Sequence, residues 1–420
     1  MKLRRSLSHV GGPVTTWGDR AIAADLAVAL GVTPAPRPLA GGDPKPRAAG
    51  GDDPDRAHVH GFHTYPARMH PTTARQLVLT VSAPTATVLD PFCGSGTVLV
   101  EAMLAGRRVM GTDLNPLAVR LARLKTTRFG AAALRSMAQQ AHSIALFADT
   151  RRRRRAGASH RYSREDVALF APHVLLELDS LAVGIRQLAP EDAALREALE
   201  LVLSSILVKV SVGASDTSSR PQPRRIAAGF PARLFARKAE ELARRLGEFS
   251  QALSEATPEA LVTADDAGAL RSIPASSVDS VVTSPPYAAT YDYLTHHALR
   301  LRWLGLDSRP LAEGEMGARR NYAKLDASAA ARTWARELDR TLRALRRVCR
   351  SGARVAFLIG DSAVGAHAIR ADEILAAVAP DAGFTLLARA SQPRPHFHGP
   401  SSPAFRHGPR TEHAIVLQKR

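Results

Sequence analysis

Apolar residues in this chain follow two spacings. Thr87-Val88-Leu89 is a short apolar run ending at Asp90, and Arg107 to Thr112 is a second, ending at Asp113. Helical periodicity fills Thr97 to Ala105 and Asn115 to Lys125. Strand-like runs return at Ala260 to Thr263, Val278 to Thr283, Arg354 to Ile359, Thr385 to Ala388 and His413 to Leu417. Strands alternating with helices predict an α/β fold with a doubly wound, mostly parallel sheet of seven strands.

That alternation breaks between residues 126 and 255. Leu195, Leu199, Val202, Ile206 and Val210 fall at helical spacing, as do Leu234, Leu242, Leu246, Phe249 and Leu253. No strand signal separates them, so this stretch reads as a helical insertion and a candidate substrate-recognition region. Residues 1–55 are rich in Gly, Pro and Ala and read as a flexible segment, interrupted by one helical pattern near Arg20 to Leu30. Order is expected to begin near His58. The expected domain therefore has two halves, 56–125 and 256–420, on either side of the insertion.

At 420 residues, 45% of them hydrophobic, the chain can bury a large core. Its 57 Lys and Arg outnumber 39 Asp and Glu, for a formal charge of +18. Such a balance favours a polyanionic partner through phosphate neutralisation. Two cysteines exclude a disulfide framework. The basic start at Met1 to Arg5 is not followed by an apolar segment, and no run reaches the length of a membrane span. A cytoplasmic protein with no membrane partner is expected.

The first candidate site is Asp90-Pro91-Phe92-Cys93-Gly94-Ser95-Gly96-Thr97, at the carboxyl end of the first strand, where open α/β sheets bind ligands. Gly94 and Gly96 let backbone approach a ligand, and Thr97 opens a helix whose free N–H groups favour an anion. Asp113 lies 19 residues after Gly94, the spacing of a ribose-binding carboxylate. The loop is neither a dinucleotide fingerprint nor a phosphate loop. A leading carboxylate and a helix start suit a zwitterion that also carries a ribose, and S-adenosylmethionine is one. Asp266, where the next strand ends, could accept the cofactor's adenine amino group. Cys93 reads as a small residue of the turn.

The second candidate site is Thr283-Ser284-Pro285-Pro286-Tyr287, at the end of another apolar strand. Two prolines hold carbonyls in set directions and donate nothing. A backbone carbonyl, that of Pro285, and the Ser284 hydroxyl can then accept from an exocyclic NH2, while Tyr287 offers a face for a base taken out of its helix. Methyl transfer to such an amine depends mainly on positioning and needs no metal.

These residues resemble the DNA amino-methyltransferases, which methylate cytosine N4 or adenine N6. Asp90 to Thr97 is similar to that family's cofactor motif, Ser284 to Tyr287 to its catalytic motif, and Phe62 to Pro71 to the segment that touches the methionine moiety. The resemblance spans roughly residues 58–125 and 260–420, and implies a Rossmann-like methyltransferase fold. It implies Ser284, Pro285, Pro286 and Tyr287 as catalytic residues. Tyr65, Asp90, Phe92, Gly94, Gly96, Thr97, Asp113, Asn115 and Asp266 are the cofactor-binding candidates. A serine at the first catalytic position favours cytosine N4. Adenine N6, an RNA base amine in tRNA or rRNA, and a catalytically inactive nucleic-acid-binding protein are the alternatives.

Arg220, Arg224 and Arg225 lie in a polar loop of the insertion and are candidate phosphate contacts, as is the run Arg151 to Arg155. Tyr291, Asp292 and Tyr293 are placed beside the bound base or in packing. His296 and His297 read as packing residues, because the amine's proton can leave after transfer without a strong base. His396, His398, His407 and His413 are separated by prolines and read as a loop, so no metal is expected.

Overall fold

Aliphatic and β-branched runs form the sheet wherever both of their faces can be covered. In the computed structural model, which describes residues 12–31, 56–215, 218–221, 225–395 and 399–420, the main sheet has eight strands. They are β1 (Thr15–Gly18), β2 (Thr87–Asp90), β3 (Arg108–Asp113), β4 (Leu261–Ala264), β5 (Val278–Thr283), β6 (Cys349–Gly360), β7 (Phe384–Pro393) and β8 (Thr411–Lys419). Their order is β1-β7-β8-β6-β5-β2-β3-β4. The five strands from β6 to β4 are parallel, and β8, β7 and β1 continue the sheet antiparallel.

Seven of these strands were legible; β1 is the addition. It pairs antiparallel with β7, Thr15 opposite Ser391 and Gly18 opposite Ala388. Helix α1 (Arg20–Leu30) follows, capped by Asp19, and buries Ile22, Leu26 and Leu30 against the sheet. The expectation that order begins near His58 is therefore corrected for residues 12–31. The Arg394 guanidinium donates to the Leu30 carbonyl at 3.1 Å, tying α1 to the far end of the chain.

Successive residues of the central strands join opposite cores. Val88 and Val282 belong to the layer with α1, α2 (Pro71–Val81), α3 (Thr97–Leu104) and α4 (Pro116–Thr126). Leu89 and Val281 belong to the layer with α13 (Ala327–Val348) and α14 (Ala371–Val378). Burial on both faces is what a doubly wound parallel sheet requires.

Between α4 and β4 run α5 (Ala131–Arg153), α6 (Arg164–Leu169), α7 (Pro172–Arg186), α8 (Ala193–Val210) and α9 (Phe230–Ala252). Most of the apolar positions at helical spacing are buried: Leu199, Val202, Ile206 and Val210 on α8, and Leu234, Leu242, Leu246 and Phe249 on α9, with Leu253 buried just past its end; Leu195 is half-buried. The insertion is keyed to the sheet layers by polar contacts. Arg120 on α4 donates to Glu197 at 3.0 Å and Glu200 at 2.5 Å, and His63 bonds Ser204 at 3.1 Å. Among the described residues no helix is long and apolar enough to cross a membrane.

Between β5 and α13 lie α10 (Tyr293–Trp303) and two short helices, α11 (Arg309–Gly314) and α12 (Arg319–Tyr322). From β2 the chain winds out through β3 to β4, then returns to β5 on the opposite side of β2. The carboxyl ends of β2 and β5 therefore sit side by side at the point where the winding reverses, the place where such sheets bind ligands.

Candidate active site

Both motifs meet at that reversal. The Thr283 hydroxyl at the end of β5 donates to Asp90 Oδ1 at the end of β2, at 2.7 Å, and the Phe92 amide donates to the same oxygen at 3.1 Å. A cavity of about 240 Å³ opens above them. Its walls include Tyr65, Asp90, Phe92, Gly94, Thr97, Asp113, Asn115, Asp266, Ser284 and Pro286.

The acidic wall is shaped by backbone donors. Asp113 accepts from the Gly94 amide at 2.9 Å and the Asn115 amide at 2.8 Å. Burial nevertheless pushes its carboxyl up to about 6, and that of Asp90 up to about 7. Asn115 caps α4 through Leu117 and donates from Nδ2 to the Tyr65 hydroxyl at 3.3 Å. The Tyr65 ring passes over Gly94, where a Cβ would stand 3.3 Å from it. Its other neighbours are His297, stacked at 4.8 Å, and Tyr293 at 6.2 Å. Burial pushes the Cys93 thiol well up, so it stays protonated and inert.

Ser95 and Thr97 lie at the start of α3, at the cavity wall. Both are buried, and neither hydroxyl has a partner among the described residues. Unpartnered buried hydroxyls beside a helix N-terminus suit an anionic group such as a carboxylate. With the carboxylates of Asp90 and Asp113 lining the same cavity, these groups fit an amino-acid-bearing nucleoside.

Three expected residues sit elsewhere than the wall. Gly96 faces α4: at φ +86° it begins α3, and a Cβ there would stand 3.0 Å from the Ala122 Cα. Pro285 is buried behind the loop. The Tyr287 ring packs over Gly360, where a Cβ would come within 2.8 Å of its Cε2, and its phenol is hydrogen-bonded with Ser284. Asp266 is on the wall, but its oxygens are engaged by the Gly268 amide at 2.8 Å and by the Arg340 guanidinium.

Several wall residues were not foreseen. Glu315 is buried and accepts from the Tyr293 amide and from Arg320, both at 2.5 Å, while Arg320 also reaches Asp292 at 2.9 Å. This triad caps α10 beside the Ser284 loop. Glu337 accepts from the Tyr322 hydroxyl at 2.7 Å and the Gly317 amide at 3.2 Å, and burial raises its carboxyl. Trp334, one turn away on α13, donates from Nε1 to the Pro286 carbonyl at 3.2 Å. The apolar stripe Trp334, Leu338, Leu342 and Leu345 could have signalled α13 and, with it, the polar positions Glu337 and Arg340.

The insertion is not wholly helical, and the expected polar loop is in part a hairpin: Gly213–Ser215 pairs antiparallel with Ser218–Pro221, which carries Arg220, while Arg225 is exposed. Arg224 lies outside the described residues, as do His396 and His398. His413 is buried against Ser391, Asp361 and Asp372. Arg370 and Arg389 already pair with those two carboxylates.

Sheet order, helices on both faces and a cavity at the reversal define a Rossmann-like, doubly wound α/β fold. Residues 44–124 match the family described as DNA methylase. Over 72 residues the chain is 44% identical to the Type II methyltransferase M.MvaI of Kocuria varians, covering 16% of each protein. It is 32% identical over 72 residues to the Type II methyltransferase M.MjaII of Methanocaldococcus jannaschii, covering 17% of this chain and 14% of that one. A tRNA (guanine(10)-N2)-dimethyltransferase of Methanothermobacter thermautotrophicus is 44% identical over 61 residues, 14% of this chain and 18% of that one. The matched stretch thus spans less than a fifth of these relatives' length. The family match and the two Type II relatives support the DNA amino-methyltransferase family, and S-adenosylmethionine is the cofactor implied.

Proposed function

We propose that this chain methylates the exocyclic amine of a base in DNA, most specifically cytosine N4. The observation that carries this reading is the side-by-side placement of Ser284 and Asp90, joined through the Thr283 hydroxyl. S-adenosylmethionine, when bound, supplies a methyl group made electrophilic by its sulfonium.

The chain's own residues do the positioning. Asp90, Ser95, Thr97 and Asp113 would hold the cofactor, with Tyr65 closing over Gly94. The Ser284 hydroxyl, on the cavity wall, would accept from the amine and so orient its lone pair; the Pro285 carbonyl, expected to share this role, lies off the wall. Trp334 holds the Pro286 carbonyl at 3.2 Å and so fixes the direction of the preceding peptide. Placement of this kind can lower a barrier by several kcal/mol without acid–base chemistry. The amine's proton leaves after transfer, a step that needs no strong base. His297 is not that base, since burial lowers it to about 3.

A serine ahead of the two prolines supports cytosine over adenine. RNA is the second reading, motivated by the named activity of the tRNA-modifying relative. Offering duplex DNA, total tRNA and rRNA as acceptors in one labelled-cofactor assay separates the two. Preference for duplex DNA is expected, and transfer to tRNA or rRNA alone would replace the DNA reading.

A further inference from the structure

We propose that the ring ladder Trp303–Tyr162–His160, flanked by Arg161 and Arg186, is a second nucleic-acid site that stacks an unpaired base. Resting on the nucleic-acid reading above, it adds a contact remote from the reacting amine.

The insertion meets α10 at a cavity of about 230 Å³, lined in part by His160, Arg161, Tyr162, Arg186 and Trp303. Trp303 and Tyr162 stack at 5.5 Å and 25°, and Tyr162 and His160 follow at 4.2 Å and 42°. The inner end is closed by the edge of Phe170, 5.6 Å from Trp303. Both polar tips are tied down: Trp303 Nε1 donates to Asp166 at 3.0 Å, and the Tyr162 hydroxyl to Asp179 at 2.8 Å. Anchored rings lose little entropy when another ring is laid on them. At the outer end the His160 side chain is 54% exposed, its Nδ1 edge held by Ser159 at 3.1 Å and near Asp179 at 3.7 Å, so the ladder ends at an exposed ring.

Charge at this place favours an anion. Asp166 and Glu165 share Arg302, at 2.8 and 3.1 Å, and Asp179 faces Arg151 at 3.5 Å, which leaves Arg161 and Arg186 as the surplus charge. Arg161 and Arg186 are exposed, and the latter's contact is a long one to Ser159 at 3.5 Å. Of the arginine run, Arg152 and Arg153 pair with Asp149, while Arg154 and Arg155 are exposed nearby along the chain. A stacking ring beside the exposed guanidiniums of Arg161 and Arg186 is the chemistry of a base with its flanking phosphates, which favours a nucleic-acid strand over an acidic protein.

Geometry connects this place to the proposed reaction. Tyr293, the first residue of α10, lines the cofactor cavity, and Trp303 is its last. Ten residues of helix separate them by roughly 15 Å, about four nucleotides at the spacing of one strand. A strand with its reacting base at Ser284 can lie along α10 and reach the ladder.

Binding of fluorescein-labelled DNA by the full chain is the test, on duplex DNA and on DNA with an unpaired base about four nucleotides from a cytosine. Variants are Arg161→Ala/Arg186→Ala and His160→Ala, all at exposed positions, with cofactor binding by calorimetry as a folding control. The arginine pair is expected to weaken every DNA and to reduce the slope of log affinity against log salt by about 1–2. His160→Ala is expected to lose roughly fivefold or more, only on the DNA with the unpaired base. Unchanged affinities and slope in both variants, with the parent binding DNA, overturn the inference and leave the proposed function standing. A parent that binds cofactor but no DNA overturns the DNA reading itself. Polyglutamate bound as tightly as DNA, and lost in the same variants, would assign the site to an acidic protein instead.

Discussion

Replacing Asp90 by asparagine separates its part in the fold from its part toward a cofactor. Both hydrogen bonds that hold the side chain, from Thr283 at 2.7 Å and Phe92 at 3.1 Å, end on Oδ1. An asparagine oxygen keeps both, and Oδ2 alone is replaced. Burial raises the Asp90 carboxyl from 3.8 to about 7, so its ionised form costs the fold roughly 4 kcal/mol at pH 8. Because the folded state holds this proton more tightly, the group's contribution is most favourable below about pH 4. It declines between about 4 and 7 and is level above. An amide has no charge to desolvate but retains a polar cost of its own. Asp90→Asn should therefore be about 1–3 kcal/mol more stable than the parent at pH 8 and nearly equal at pH 4. Affinity for S-adenosylmethionine should move oppositely, falling about 10- to 100-fold with the loss of one charge-assisted contact. In the parent that affinity should rise with pH up to about 7, and this part of the dependence should vanish in the variant. Scanning calorimetry at the two pH values and titration calorimetry from pH 6 to 8 read both effects. A variant less stable at pH 8, or one with the parent's affinity and pH profile, would refute the reasoning.

In Ser284→Ala, cofactor affinity should hold while the methylation rate falls at least about tenfold, one transition-state hydrogen bond; equal rates would remove Ser284 from the reacting group. Gly96→Ala puts a Cβ 3.0 Å from the Ala122 Cα at φ +86°, and should cost about 1–3 kcal/mol by denaturant unfolding. His297→Leu should blunt acid sensitivity. A histidine held at about 3 in the fold loses stability as pH drops from 6.5 toward 3, and leucine has no such loss. Parallel unfolding curves at pH 7 and 4.5 check this, and an equal drop in parent and variant would count against it. Neutralising Arg220, Arg224 and Arg225 together should lower the salt slope of DNA binding by roughly 2–3 with little change in melting temperature; an unchanged slope would move the phosphate contacts elsewhere.

What could be read from the residues was the part whose partners are close in sequence. Asp90 to Thr97 and Asp113 belong to one β-α-β unit, so their meeting follows from local pattern. Ser284 to Tyr287 joins them because parallel strands place successive carboxyl ends at one edge. The edge strand β1 was missed because Thr15 to Gly18 is short and exposed, and its partner Ser391 lies 376 residues away. Glu315, Glu337 and Arg340 were missed because they reach the cavity only when residues 309–348 fold back over β5. Gly96 looked like a ligand-facing glycine, yet its missing side chain makes room for α4. Small residues in a turn report close approach without reporting to what.

Incubation of the full chain with duplex DNA and methyl-labelled S-adenosylmethionine, followed by hydrolysis and nucleoside analysis, tests the central claim most directly. Label in N4-methylcytosine is the predicted result. Label confined to N6-methyladenine would contradict the choice of base. No label in DNA, from protein that binds the cofactor, would contradict the DNA-methylating activity itself.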